Sequence, residues 1–439
     1  SGKFYHFAVG HATVTAHVNF GQDHLFGGAT LPSGAGSNTP DNGIGTFAFS
    51  VPSGAKALCT QNIPTPSTDS AVGNGPEDFF KTVIWTGNGS SRNIAVGFQP
   101  DLVWIKNRNN SSQSTHAPSI FDSARSNGHR LVTHSTQTDQ NYSTHFGSII
   151  SSGFSLPSSQ VFNDSLSSPA GTYVAWCWRA GGAPTADNTA TSGSMTANSV
   201  SVDGVLQSSY TPSGSPSIYP KRMSIGVKQG FSIIKYAGNI TSGSATIPHG
   251  LNGCDFCFIK NLNNANAWIV SHKSIVPNVA CLNDSGAAGS TPPVDGPYGA
   301  ITQLNSSTIT LTSGTSGPDN VAKGGSNWEY IAYCFTSIEG YSAFGSYTGN
   351  GSTNGPFVYT GFRPSWIIVK WISGGGLTTG SWRIMDTARN PYNPATLDLM
   401  ANETVAETTY GSDDLDILSN GFKWRSTGSF HNYNNANYM

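Results

Sequence analysis

Charge is what this sequence lacks most. Only 10% of its 439 residues are Asp, Glu, Lys or Arg, against about a quarter in an ordinary soluble domain. The 22 basic and 24 acidic residues leave a formal net charge of −2, so nothing steers the chain to nucleic acid or to an anionic membrane surface. No stretch of about 18 apolar residues occurs, so no membrane insertion is expected. The N-terminus SGKFYHFAVG lacks the basic-then-apolar plan of a signal peptide. Six cysteines are few for a disulfide scaffold of this length, and several sit in apolar strand-like stretches, where buried thiols are expected. The patterns GxSxG, HExxH and GxxxxGK[ST] are all absent, which removes the nucleophile elbow, the zinc protease helix and the phosphate loop. No cofactor is expected.

What the chain has instead is 51 Gly, 24 Pro, 11% aromatic residues and Ser, Thr and Asn throughout. That mixture favours strands joined by tight turns over helices. Self-similarity organises it. The segment from Trp85 to Asn107, WTGNGSSRNIAVGFQPDLVWIKN, returns as YTGNGSTNGPFVYTGFRPSWIIVKW from Tyr347 to Trp371, and in a more drifted form from Tyr236 to Asn261. Each copy ends on a lysine: Lys106, Lys260 or Lys370. A tyrosine follows each lysine after 67, 70 and 68 residues, at Tyr173, Tyr330 and Tyr438.

Between these landmarks lie SSGFSL (151–156) and SNGFKW (419–424), with STITL (307–311) as the middle counterpart, and FDSAR (121–125) and MDTAR (385–389), with SHKSI (271–275) between them. DLVWIK, YVAWCW and WIIVK are short, β-branched or aromatic, and bounded by Gly, Pro and Asn, so each reads as a strand. Strands apolar on both faces belong inside a sandwich. The expected fold class is all-β, a tandem of jelly-roll-like β-sandwich modules. They lie at 76–181, 229–339 and 340–439, with a Ser/Thr/Pro-rich connector or strand-exchanging arm at 182–228. The third copy reaches Met439 without the second half of its closing strand, so the sequence is expected to be part of a longer polypeptide.

Several groups invite a chemical reading. Cys254 and Cys257 form a single CxxC with no second pair to complete a zinc site, and they replace Pro and apolar residues of the other copies. Asp122 with Arg125, and Asp386 with Arg389, are expected to form local ion pairs or caps. His6, His11, His17 and His24 lie in a strand-like stretch that scatters them over two faces. Glu403, Glu407, Asp413, Asp414 and Asp416 form an acidic concentration; glycoside hydrolysis needs paired carboxylates, but a solvated loop or a calcium-binding loop is the commoner use of such a cluster. Most tryptophans recur at matched strand positions. Trp371 and Trp382 flank a Gly-Gly-Gly loop and, with those five acids, are the expected host or glycan contact.

Residues 14–66 resemble the closing part of a SPRY-like sandwich as it occurs in tailed-phage structural proteins. The resemblance is carried by Asn19, Phe20, Gly21, Gln22 and Phe26, then by Pro52, Gly54, Leu58, Cys59, Asn62, Pro64 and Pro66. It implies the C-terminal part of such a domain at 1–72. The order GFxPxx[VI]x[IV]K, DxxR, SxGF and Y[VI]A[WY]C[WF] is similar to that of the tandem modules that follow that domain in phage virion proteins. The resemblance implies a non-enzymatic virion protein on the exterior of a phage particle, a tail fibre or tail-associated adhesin made in the host cytoplasm. The alternatives are a capsid decoration or scaffolding protein and, further off, a polysaccharide depolymerase. Expected partners are other virion proteins, copies of the chain itself in a homotrimer, and a host surface glycan or envelope protein.

Overall fold

The computed structural model describes residues 36–54, 57, 75–109, 117–167, 169–288, 299–314, 320–325, 328–409 and 415–439. The chain divides into two compact units, Ser1–Thr65 and Pro66–Met439. In the first, Asn38 bridges Phe47, and the Pro52-Ser53-Gly54 turn is tied down where the Asp41 carboxylate accepts from the Ser53 hydroxyl and the Gly54 amide, each at 2.9 Å. The four N-terminal histidines, the 19–26 motif, Leu58, Cys59, Asn62, Pro64 and Pro66 lie outside the described residues.

The second unit is all-β. Its strands form three blocks: a six-stranded and an eight-stranded sheet, each backed by a three-stranded one, make the first two, and a four-stranded and two three-stranded sheets make the third. In the first block the strand Leu102–Asn107 lies between Thr172–Trp178 and Ser119–Asp122, and Phe80–Thr86 pairs with the outer side of Thr172–Trp178. The second block repeats this with Phe256–Asn261 between Glu329–Phe335 and Ile269–His272, and Phe231–Ala237 outside. In the third, Trp366–Val369 pairs with Arg383–Asp386, while Ala436–Tyr438 runs between Tyr347–Thr348 and Trp371–Gly374. Small sheets built on Gly153–Leu156, Thr308–Thr312 and Gly421–Trp424 cover one face of each block.

Both faces of Leu102–Asn107 are buried, and of Phe256–Asn261 beyond Phe256, which is why they read as unbroken apolar runs; in Trp366–Val369 one face is only partly buried. Along Leu102–Asn107, Val103 and Ile105 enter the interior of their own block. Leu102 and Trp104 enter a second core shared with Phe258, Trp268 and Tyr333 of the second block and Ile372, Trp382 and Ile384 of the third. Period-two alternation puts Lys106 on that same outward face. The closing strands divide likewise: Ala175 and Cys177 pack inside, Val174, Trp176 and Trp178 outside.

The sequence landmarks meet in space. Trp85 stacks on Tyr173 at 5.4 Å, Tyr236 on Tyr330 at 5.2 Å and Tyr347 on Tyr438 at 5.2 Å, with interplanar angles of 17°, 17° and 18°. Lys106 pairs with Val174, Lys260 with Ile331, and Lys370 exchanges both backbone hydrogen bonds with Met439. Segment 182–228 is not a free linker: Val200–Val202, Val205–Leu206 and Arg222–Gly226 extend the large sheet of the second block. No helix among the described residues is long and apolar enough to cross a membrane.

Candidate functional site

The three blocks meet at seams with one recurring geometry. The residue two beyond each lysine accepts a backbone bond from a neighbouring block: Glu407 N–H donates to Arg108 O at 2.6 Å, Asp139 to Leu262 at 2.9 Å and Ala288 to Ile372 at 3.2 Å. Side chains bridge the same three seams with the direction of donation reversed. The Trp268 indole N–H donates to Val132 O and that of Trp382 to Cys281 O, at 2.8 and 2.9 Å, and at the remaining seam the Thr133 hydroxyl donates to Ala401 O at 2.5 Å. The closing strands also reach across, Trp176 Nε1 to the Asp386 carboxylate at 3.0 Å and the Tyr333 hydroxyl to that of Asp122 at 2.6 Å.

The expected contact residues fall largely into this framework. Trp371 and Trp382 are 3% and 1% exposed, so neither can offer a stacking platform, and their assignment to the surface is corrected. The Gly374-Gly375-Gly376 turn beside them, all three with positive φ, suggested exposure, but the indoles fold inward from it. Glu407 is forked by Arg108, at 2.8 and 3.1 Å, and bound by Arg389 at 2.9 Å. Glu403 accepts from the Ser381 hydroxyl through its side chain and from Lys106 Nζ through its carbonyl oxygen. Asp416 pairs with Arg425 at 3.2 Å, away from these two. Asp413 and Asp414 lie outside the described residues. The DxxR motifs are local ion pairs, Asp122 with Arg125 at 2.7 Å and Asp386 with Arg389 at 2.6 Å, and each aspartate also caps its own turn.

The landmark lysines are buried at or near the seams. Lys106 Nζ reaches Glu403 O at 2.5 Å, Lys370 Nζ reaches Gly380 O at 2.5 Å and Asp284 O at 3.5 Å, and Lys260 Nζ reaches the carbonyls of Asn261 and Asn264. Burial, which disfavours the charged form, lowers Lys106 and Lys260 to about 7 and Lys370 to about 8. Cys254, Cys257 and Cys334 are buried, with 3.5 Å between the Cys257 and Cys334 sulfurs across paired strands. Among the described residues no group of three or more His, Cys, Asp or Glu gathers as a metal cage.

One concave feature does stand at the junction. An apolar cavity of about 460 Å³ opens between the blocks, lined by Phe258, His272, Phe335, Phe344, Trp366 and Phe422 among others.

The family model for a domain of unknown function (DUF7483) matches residues 75–218 and 207–439. The chain belongs to that family. No curated protein and no solved structure matches it. The two DUF7483 matches meet at 207–218, within the segment that extends the second large sheet. Three features of this DUF7483 chain escaped the sequence reading. Asp139, the counterpart of Glu407 in binding a DxxR arginine, carries no motif. Trp176 and Tyr333 looked like ordinary core. Their matched positions in YVAWCW and YIAYCF were the available signal.

Proposed function

We propose that this chain is a non-enzymatic structural protein of a tailed-phage particle. In this reading three copies of one sandwich module, after the end of a SPRY-like sandwich, form a tail fibre or tail-associated adhesin that touches the host surface. The observation that supports it is the use the fold makes of its reactive side chains. The carboxylates of Glu403, Glu407, Asp122 and Asp386 are engaged by hydroxyl and arginine donors at turns and seams, an arrangement that supports a structural role for them.

The contact surface in this proposal stays with the third block but shifts to other rings. Phe357, Tyr359 and Tyr392 are 45%, 66% and 84% exposed. Flat amphipathic rings held on a rigid scaffold suit neutral polar ligands such as glycans.

Purified protein incubated with host cells and with isolated envelope polysaccharide tests this. Retention is expected, and the double variant Tyr359→Ala, Tyr392→Ala should lose it, with no release of reducing sugars from either ligand. Sugar release would replace the reading with a depolymerase. Labelled antibody found on the capsid shell and not on the tail would replace it with a decoration protein.

A further inference from the structure

Three of the six cysteines gather in the second block. Cys257 on Phe256–Asn261 lies opposite Cys334 on Glu329–Phe335, with 3.5 Å between their sulfurs. The bond from Leu262 N–H to Glu329 O, at 2.9 Å, sets the alternation of this ladder. Bonded pairs recur at every second residue from there, so Cys257 and Cys334 fall between them as a non-bonded pair. The Cα atoms of such a pair stand about 4.5 Å apart, within the roughly 4.4–6.8 Å that a disulfide spans. Cys254 hydrogen-bonds with both thiols and is 7% exposed, against 0% for the other two. Among the described residues the remaining cysteines have no thiol opposite them: Cys177 pairs with Val103 and Lys81, and Cys281 with Ile269.

The surroundings divide the roles. Hydrogen bonds from the Cys257 and Cys334 thiols favour the Cys254 thiolate and hold its titration well below the usual thiol range. Burial, and then the bond to Cys254, pushes the two donors up. The thiolate is the form of sulfur that oxidants attack, so the one sulfur that solvent touches is also the one in the reactive state. A second thiol within reach is what resolves the first oxidation product into a disulfide. The first and third blocks carry Pro100 and Pro364 where Cys254 stands, and Val103 and Ile367 where Cys257 stands. The group therefore belongs to the second block and is not a property of the module.

We propose that Cys254, Cys257 and Cys334 form an oxidative modification site, which hydrogen peroxide converts into a Cys257–Cys334 disulfide. The Cys254 thiolate attacks one peroxide oxygen and the O–O bond breaks. That sulfur is oxidised to a sulfenic acid, and the second oxygen leaves as hydroxide and is protonated to water. The Cys334 sulfur then attacks Cys254 Sγ, the S–O bond breaks, and the hydroxyl leaves with the Cys334 proton as a second water. Finally the Cys257 sulfur attacks Cys334 Sγ, and Cys254 departs with the Cys257 proton as a restored thiol. Two thiols are oxidised and one peroxide is reduced. The bond ties the central strand to the closing strand across 77 positions of the chain, a long loop of the kind whose closure restrains the unfolded state most. This inference goes beyond the proposed host contact and does not depend on it.

The test exposes the full folded chain to hydrogen peroxide, removes the excess with catalase, denatures the protein in an alkylating reagent and maps every cysteine by mass spectrometry. A loss of two hydrogens is expected, reversed by a phosphine reductant, and fragmentation should place the link between Cys257 and Cys334. Cys177 and Cys281 should remain alkylated thiols. A Cys254–Cys257 bond, a stable sulfinic acid at Cys254 or three unmodified thiols would each overturn the proposal. So would equal oxidation of Cys177 and Cys281, which would show reaction through unfolding in place of a built site. A Cys254→Ser chain that melts with the unaltered one is expected to form the cross-link at least about tenfold more slowly, since the reactive thiolate is gone. An unchanged rate would remove the entry role and the proposal with it. The map of the unaltered chain decides by itself, so a variant that fails to fold leaves the test intact.

Discussion

The indole N–H of Trp176 donates to the Asp386 carboxylate at 3.0 Å, joining residues 210 positions apart in the chain. Tyr333 makes the matching bond to Asp122. Each links a closing strand to the DxxR turn of another block, and each bond ends on a buried charge.

Removing these donors is therefore expected to cost more than an ordinary hydrogen bond. Tyr333→Phe keeps the ring and should lower stability by about 1.5–3 kcal/mol, the range for bonds to charged groups, and Trp176→Phe, which also shortens a fully buried indole, should cost at least as much. Urea unfolding measures it. A loss under about 0.5 kcal/mol in both would mean that water replaces the donors and that the cross-seam bonds contribute little.

The two arginines that hold Glu407 should separate in effect. Arg389 and Asp386 have side chains 0% exposed, whereas the Arg108 side chain is 20% exposed. Arg389→Met strands the Asp386 carboxylate in the interior and is expected to cost about 3–5 kcal/mol. Arg108→Met breaks a pair near solvent and should cost about 1 kcal/mol or less. Equal losses would place the weight of the seam at its rim.

The SxGF motif has a steric cause. A Cβ on Gly153 would lie 2.0 Å from the carbonyl oxygen of Ile94, and one on Gly421 would lie 2.1 Å from that of Val358. Both obstacles are backbone of the paired strand. Gly153→Ala and Gly421→Ala are expected to destabilise by about 1–3 kcal/mol through overpacking. Gly345→Ala, which meets nothing within 4 Å, should be close to neutral. Thermal melts of the three variants decide it, and three equal midpoints would contradict the assignment.

The buried lysines fix the sign of a pH dependence. Folded, Lys106 and Lys260 titrate at about 7 and Lys370 at about 8, whereas an unfolded chain keeps lysine near about 10.4. Between those values the unfolded state binds more protons, so stability rises with pH. The cost of burying the charged amines is fully present below about 7 and is relieved above it. Buried thiols oppose this at higher pH: burial raises Cys281 to about 12 and raises Cys177 as well, so the unfolded chain releases those protons first, above about 8.5. Urea midpoints should climb from about pH 7 to about pH 8.5 and then flatten or fall. The triple variant with Lys106, Lys260 and Lys370 changed to Met should lose the climb. A midpoint that falls across the lower interval would contradict the burial account.

The strands, the turns and the lysine and tyrosine landmarks were legible because they depend on short-range pattern: period-two apolar runs, Asn-Gly turns and fixed spacing. The arrangement of the blocks was not. Arg108 and Glu407 are 299 residues apart, and no local signal joins them. The strands at 200–202 and 205–206 were hidden by brevity and by Ser-rich surroundings, since two or three residues give no measurable alternation. Trp371 and Trp382 misled because a glycine-rich turn marks a bend without saying which way the flanking side chains point. The acids at 403 and 407 looked available for chemistry because their partners come from other elements.

The central claim is that the three blocks of residues 75–439 behave as one body locked by the cyclic seams. Native-state hydrogen exchange on the closing strands Thr172–Trp178 and Glu329–Phe335 tests it most directly, in the unaltered chain and in Trp382→Phe, which removes the bond to Cys281 O at the seam between the second and third blocks. The expected result is one opening free energy common to both strands, lowered equally in both by the variant. Separate opening energies, with only the second block responding, would show independent sandwiches that merely touch.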